Sequence, residues 1–126
     1  MTRKSIAAVK SILSNTLYHV TTRSALADIR EKGLIPQIGP RAKLMDETIP
    51  CVWLFTYQHA MEESIMNWLG DEFDENEDLM ICEVTLDNTY VEKMFYNPHV
   101  DFEIGCMVTI PVDCIKFLDE GMEPIP

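Results

Sequence analysis

The sequence predicts one α+β domain in which short helices alternate with the strands of a largely antiparallel sheet. Strand-like apolar runs at 17–20, 51–55, 79–86, 102–110 and 115–118 recur between segments whose apolar residues have helical spacing. A length of 126 residues suits a single domain with one hydrophobic core. The 47% hydrophobic content, with aromatics spread over most of the chain, marks a globular composition.

The first element, within 1–15, is an amphipathic helix that places Ile6, Val9, Ile12 and Leu13 near one face. Leu17-Tyr-His-Val follows as a strand, and Thr21 or Thr22 supplies an N-cap for a second helix with Leu26 and Ile29 turned inward. Gly33 ends that helix, because glycine accepts the backbone conformation of a helix stop. Pro36, Gly39, Pro40 and Pro50 punctuate the next stretch, which is expected to be an ordered loop. Cys51-Val-Trp-Leu-Phe is a buried strand candidate. The helix expected over 58–69 turns Ala60, Met61, Ile65, Trp68 and Leu69 inward and closes at Gly70. Six acids between Asp71 and Asp78 repel one another, so 71–78 is expected to be a solvated loop; the alternation and glycine of a calcium loop are missing. Leu79-Met-Ile-Cys-Glu-Val-Thr-Leu is the clearest strand, 102–110 is another that Pro111 ends, and Ile115-Lys-Phe-Leu is the last.

Charge is divided along the chain. Residues 1–43 carry eight Lys/Arg and two acids, a net +6, whereas 44–126 carry two Lys and nineteen acids, a net −17. With a total of −11 the protein is a poor general nucleic-acid binder, since phosphate contacts supply most of that affinity. A locally basic segment still suits a small phosphate-bearing ligand. No window approaches the roughly 20 apolar residues of a membrane span, and the first ten residues, interrupted by Lys10, lack the pattern of a secretory signal. Cys51, Cys82, Cys106 and Cys114 fall in apolar runs without the paired spacing of a zinc site. Buried thiols in a reducing compartment, the cytoplasm, are therefore expected.

Leu17-Tyr-His-Val-Thr-Thr, a short helix and Lys32-Gly-Leu-Ile-Pro resemble the opening of the ADP-ribosyltransferase superfamily. That group includes poly(ADP-ribose) polymerase-like and RNA 2′-phosphotransferase-like proteins and small bacterial or phage members. Val52-Trp-Leu-Phe-Thr with its following helix is similar to the second core block. Phe102-Glu-Ile, with Pro111-Val-Asp-Cys-Ile-Lys-Phe-Leu after it, is similar to the closing strands, whose first residues carry a catalytic glutamate in active members. The resemblance spans about residues 17–118 in the family's order. It implies split β-sheets splayed around an NAD cleft with short flanking helices, and an NAD-dependent activity that transfers ADP-ribose to a protein or nucleic acid. The RNA 2′-phosphotransferase branch fits poorly, because this chain is short and acidic.

The chemistry asks for the same residue types. Cleavage of a glycosidic bond passes through an oxocarbenium-like state, which calls for a ribose anchor, an aromatic wall and a carboxylate. By carry-over from the family, His19 would hydrogen-bond the ribose or adenosine end of NAD with Thr21 beside it; taken alone, a His after an apolar pair is a structural strand-edge residue. Trp53 or Phe55 would wall the nicotinamide slot, where the family often has Tyr or Ser, or would pack in the core. Arg41 and Lys43, with Arg23, would meet the pyrophosphate, or solvate the surface. Glu103 would be the catalytic glutamate, stabilising the ribosyl cation or positioning the incoming nucleophile, with Asp101 two residues earlier as its rival and a solvent-facing acid as the plain alternative. No metal site is expected. A second functional class is a non-catalytic acidic binding or inhibitor protein on the same fold, of the charge-mimic type used by phages, which covers a basic partner with the acidic half.

Overall fold

A computed structural model of the chain describes residues 16–37, 50–66, 76–96 and 102–126. The expected N-terminal helix and most of the acidic loop lie outside the described residues. Among the described residues the strands and α-helices follow one another as β1 (Leu17–Thr22), α1 (Leu26–Lys32), β2 (Val52–Phe55), α2 (Gln58–Ser64), β3 (Leu79–Val84), β4 (Met94–Tyr96), β5 (Glu103–Cys106) and β6 (Ile115–Leu118). The strands form one six-stranded sheet in the order β4-β5-β2-β1-β3-β6, and every neighbouring pair is antiparallel.

Strand alternation divides the apolar residues between the two faces of this sheet. One face carries Leu17, Val52, Leu54, Met80, Cys82, Val84, Ile104 and Cys106, packed with Ile29 of α1 and with Leu34 and Ile110. The other carries Val20, Phe55, Leu79, Ile81 and Leu118, packed with Ala60 and Met61 of α2. Covered on both sides, β3 is apolar at nearly every position, as a strand between two layers must be.

The pairing is uneven. β1 matches β3 through six register pairs, from Leu17 opposite Val84 to Thr22 opposite Leu79. Against β2 it has one, Tyr18 opposite Phe55. In place of two separate small sheets, hydrogen bonding crosses a seam between β1 and β2 and makes one sheet. The seam is its least paired junction.

Local chemistry accounts for the element ends. Gly33 caps α1 at φ 78°, and a Cβ there would stand 2.3 Å from the carbonyl oxygen of Ile110. Glycine is required on both counts. It lets Leu34 pair with Ile110 through two backbone hydrogen bonds of 2.9 Å. Thr22 occupies the N-cap of a 3-10 turn over Arg23–Ala25, but its hydroxyl pairs with Ser24 Oγ at 2.8 Å instead of capping a backbone amide. The strand expected over 102–110 is regular only to Cys106; Met107 N then bonds the Lys93 carbonyl at 2.8 Å. β4 and the 3-10 helix before it (Asn88–Lys93) were not expected; Asp87 starts that helix by accepting from Thr89 N at 2.9 Å. Of the helix expected over 58–69, Trp68 and Leu69 lie outside the described residues.

Candidate functional site

Beyond the Tyr18–Phe55 pair the β1–β2 ladder is not continued, and the imidazole of His19 fills the next position. Its Nδ1 stands 2.9 Å from the carbonyl oxygen of Trp53. A carbonyl only accepts, so Nδ1 carries the proton and donates it, a side-chain bond in place of a ladder bond. Burial lowers the His19 pKa below its ordinary 6.5, against a smaller upward pull from the Trp53 carbonyl. The ring is therefore neutral at pH 7, and Nε2 is its hydrogen-bond acceptor.

Beside the imidazole lies a cavity of about 240 Å³. His19 and Thr21 of β1, Cys51 and Val52 at the start of β2, Ala25, Asp28 and Ile29 around α1, and 33–35 with Gln37 line it. Its walls are thus the two strands at the seam and the helix that follows β1. Gln37 and Cys51 hold the outer wall together through paired backbone bonds of 3.2 Å. The polar groups offered are a neutral imidazole acceptor, a hydroxyl, an amide and a carboxylate, a set that matches the hydroxyls of a sugar. Typical pockets for drug-sized ligands run from about 300 to 1,000 Å³, so this space suits one part of a dinucleotide.

The sequence-predicted residues divide. His19 and Thr21 line the cavity. Trp53 and Phe55 do not, because strand alternation turns them to the opposite face: Trp53 meets Phe95 edge-on at 5.6 Å, and Phe55 stacks on Phe102 at 6.1 Å. Gly105 lies between the first pair of rings, and a Cβ there would stand 3.1 Å from both. Arg23 is exposed, anchored by its backbone N to Asp78 O at 2.8 Å, and is not a lining residue. Arg41, Lys43 and Asp101 lie outside the described residues.

No family model and no curated protein matches this chain.

Glu103 is the first residue of β5 and has 0% exposure. It stands opposite Phe55, which stands opposite Tyr18, so these three share one row and one face. His19, one residue on from Tyr18, projects from the other face. Two strand spacings, about 10 Å, separate the backbones of β1 and β5. The ends of β2 and β5 are tied by Thr56, whose backbone N and hydroxyl both donate to the Phe102 carbonyl, at 2.9 and 3.2 Å.

Asp28 and Gln37 are cavity residues that sequence reasoning missed. Asp28 had a signal: it lies one residue before inward-facing Ile29 on the helix that follows His19. Gln37 had none, since its place depends on a bridge to Cys51, fourteen residues away. The cysteines are not disulfide-bonded, and burial pushes the Cys82 thiol up to about 12, which removes it as a nucleophile at neutral pH. Among the described residues no three His, Cys, Asp or Glu side chains group as metal ligands, and no helix is long and apolar enough to cross a membrane.

Proposed function

We propose that this chain is an NAD-dependent ADP-ribosyltransferase with the ADP-ribosyltransferase fold, acting on a protein or nucleic-acid acceptor, and that the seam between β1 and β2 is its NAD cleft. The observation that carries the reading is His19: a neutral imidazole, oriented through Nδ1 by the Trp53 carbonyl, on the wall of a cavity that opens where the β1–β2 ladder ends. Nε2 accepts from a ribose hydroxyl, and Thr21 and Asp28 complete the sugar site. The family resemblance supplies the identity of the ligand, and the polar lining supports it. The reaction breaks the nicotinamide–ribose bond with the bonding pair leaving on nicotinamide; the acceptor bonds the ribose carbon and gives up a proton. The family resemblance assigns Glu103, at the head of β5, to stabilise the positive charge that develops on the ribose, and its enclosure on the face away from the cavity counts against that role.

The enclosure of Glu103 on the far face favours a second reading, a module that binds without turnover and uses the acidic half against a basic partner. One experiment separates them. The folded chain is incubated with NAD⁺ and an extract of candidate acceptors, and free nicotinamide is followed, with His19→Ala and Glu103→Gln as controls. Release that both substitutions abolish supports the transferase. NAD⁺ binding without release supports the module, and no binding at millimolar NAD⁺ removes the NAD reading.

A further inference from the structure

We propose that segment 119–126 is an autoinhibitory strap: it occupies the β6 edge that a strand from a second copy of the chain would otherwise take, and its own outer edge offers that strand no amide donor. This role is independent of what the cavity binds. β6 is the last strand in the sheet order, and the outer side of such a strand carries main-chain groups that template further pairing. The strap folds back onto that side. Asp119 N donates to the Glu123 carbonyl at 2.8 Å and Ile125 N to the Phe117 carbonyl at 3.0 Å, with Leu118 bridged to Pro124 between them. In an antiparallel pair bonded this way the main chain of Pro124 points away from β6, and by alternation so does that of Pro126. Both positions hold the residue that has no amide hydrogen, and both are exposed. The Pro126 carbonyl is already taken by Arg30 Nη2 at 2.7 Å. Prolines and charges are the usual means of closing a sheet edge, and the strap also carries the acids Asp119, Glu120 and Glu123, which repel the same segment of a second copy.

The strap is fastened to both faces of the sheet. Ile125 packs with the cluster that contains Ile29 and Leu34, and Met122 with the one that contains Leu79 and Leu118. Glu120 Oε1 accepts from Leu79 N at 3.0 Å, which ties the turn to the start of β3. Arg30 of α1, besides holding Pro126, lies over the Phe117 ring at 5.6 Å. Met122 has φ 65°, a left-handed conformation that costs a residue with a side chain about 1–3 kcal/mol and persists where the surroundings impose it. Here the packed Met122 side chain supplies that constraint.

The test is sedimentation velocity of the full chain over a range of concentrations, with hydrogen exchange at the Ile125 amide and circular dichroism to verify folding. Pro124→Ala with Pro126→Ala restores the outward donors while the strap stays in place. Ile125→Asp with Arg30→Ala releases the strap and bares β6. The Ile125 amide is expected to be protected in wild type and in the proline variant, and position 125 to be unprotected in the release variant. Both variants are expected to self-associate at least about tenfold more tightly than wild type, since each adds backbone hydrogen bonds between copies. Folded variants that associate no more tightly than wild type overturn the proposal, as does a wild-type Ile125 amide that exchanges at the rate of an unfolded chain. A rise in the release variant alone overturns the role of the two prolines and supports that of the strap. The proline variant decides the matter where the release variant does not fold.

Discussion

His19 and Glu103 stand on the two strands that flank β2, and their side chains project from opposite faces of the sheet. The imidazole borders a cavity; the carboxylate is enclosed beside Phe55. The imidazole can therefore anchor a ligand in the cavity without help from the carboxylate. Binding and turnover then separate by mutation.

Glu103→Gln keeps the size of the side chain and removes the charge. Nicotinamide release is expected to fall about 10²–10³-fold with NAD⁺ affinity changed less than about threefold, because oxyanion-type and cation-stabilising groups contribute on that scale. Single-turnover kinetics beside a binding titration checks this. An equal loss in both quantities would make Glu103 a packing residue.

The depressed His19 pKa ties stability to pH. Below the unfolded value near 6.5 the unfolded chain takes up a proton that the folded His19 refuses, so stability is complete above 6.5 and declines as pH falls toward the folded value. Thermal unfolding at pH 7.5 and 5.5 should show a larger drop in Tm for wild type than for His19→Gln, which lacks this group. Equal drops would mean that the ring is not held neutral by burial.

Gly33→Ala places a methyl group against the Ile110 carbonyl and in a backbone region unfavourable to L-residues. A loss of about 2–4 kcal/mol is expected, with weakened NAD⁺ binding because Gly33 and Leu34 wall the cavity. Urea unfolding and ligand titration measure the two effects.

Gly105→Ala tests the opposite face. The added Cβ must push apart the Trp53 and Phe95 rings, and about 1–3 kcal/mol of destabilisation follows from overpacking. Near-ultraviolet circular dichroism should change, whereas NAD⁺ affinity should not, since neither ring lines the cavity.

Much of the fold was legible in the residues. The strands expected at 17–20, 79–86 and 115–118 are found at Leu17–Thr22, Leu79–Val84 and Ile115–Leu118, and Gly33 announced its helix end. β4 was not legible: Met94-Phe-Tyr is three residues long and is a strand because β5 offers it an edge. The facing of Trp53 and Phe55 was also hidden, since an apolar run reveals a strand without revealing its register. His19 and Thr21 were found through the resemblance of Leu17-Tyr-His-Val-Thr-Thr to the opening of the ADP-ribosyltransferase superfamily, since a His after an apolar pair carries no functional signal by itself. Asp28 was missed because a single acid in a helix next to Lys32 has the pattern of a surface pair.

The most direct measurement is the ¹⁵N resonance pair of the His19 ring during titration with NAD⁺. Saturable movement of Nε2, with Nδ1 remaining protonated and hydrogen-bonded, is the result expected if this imidazole is the ribose anchor. Saturation binding of NAD⁺ that leaves both His19 nitrogens unmoved would contradict the account, as would a folded chain that does not bind NAD⁺ at all.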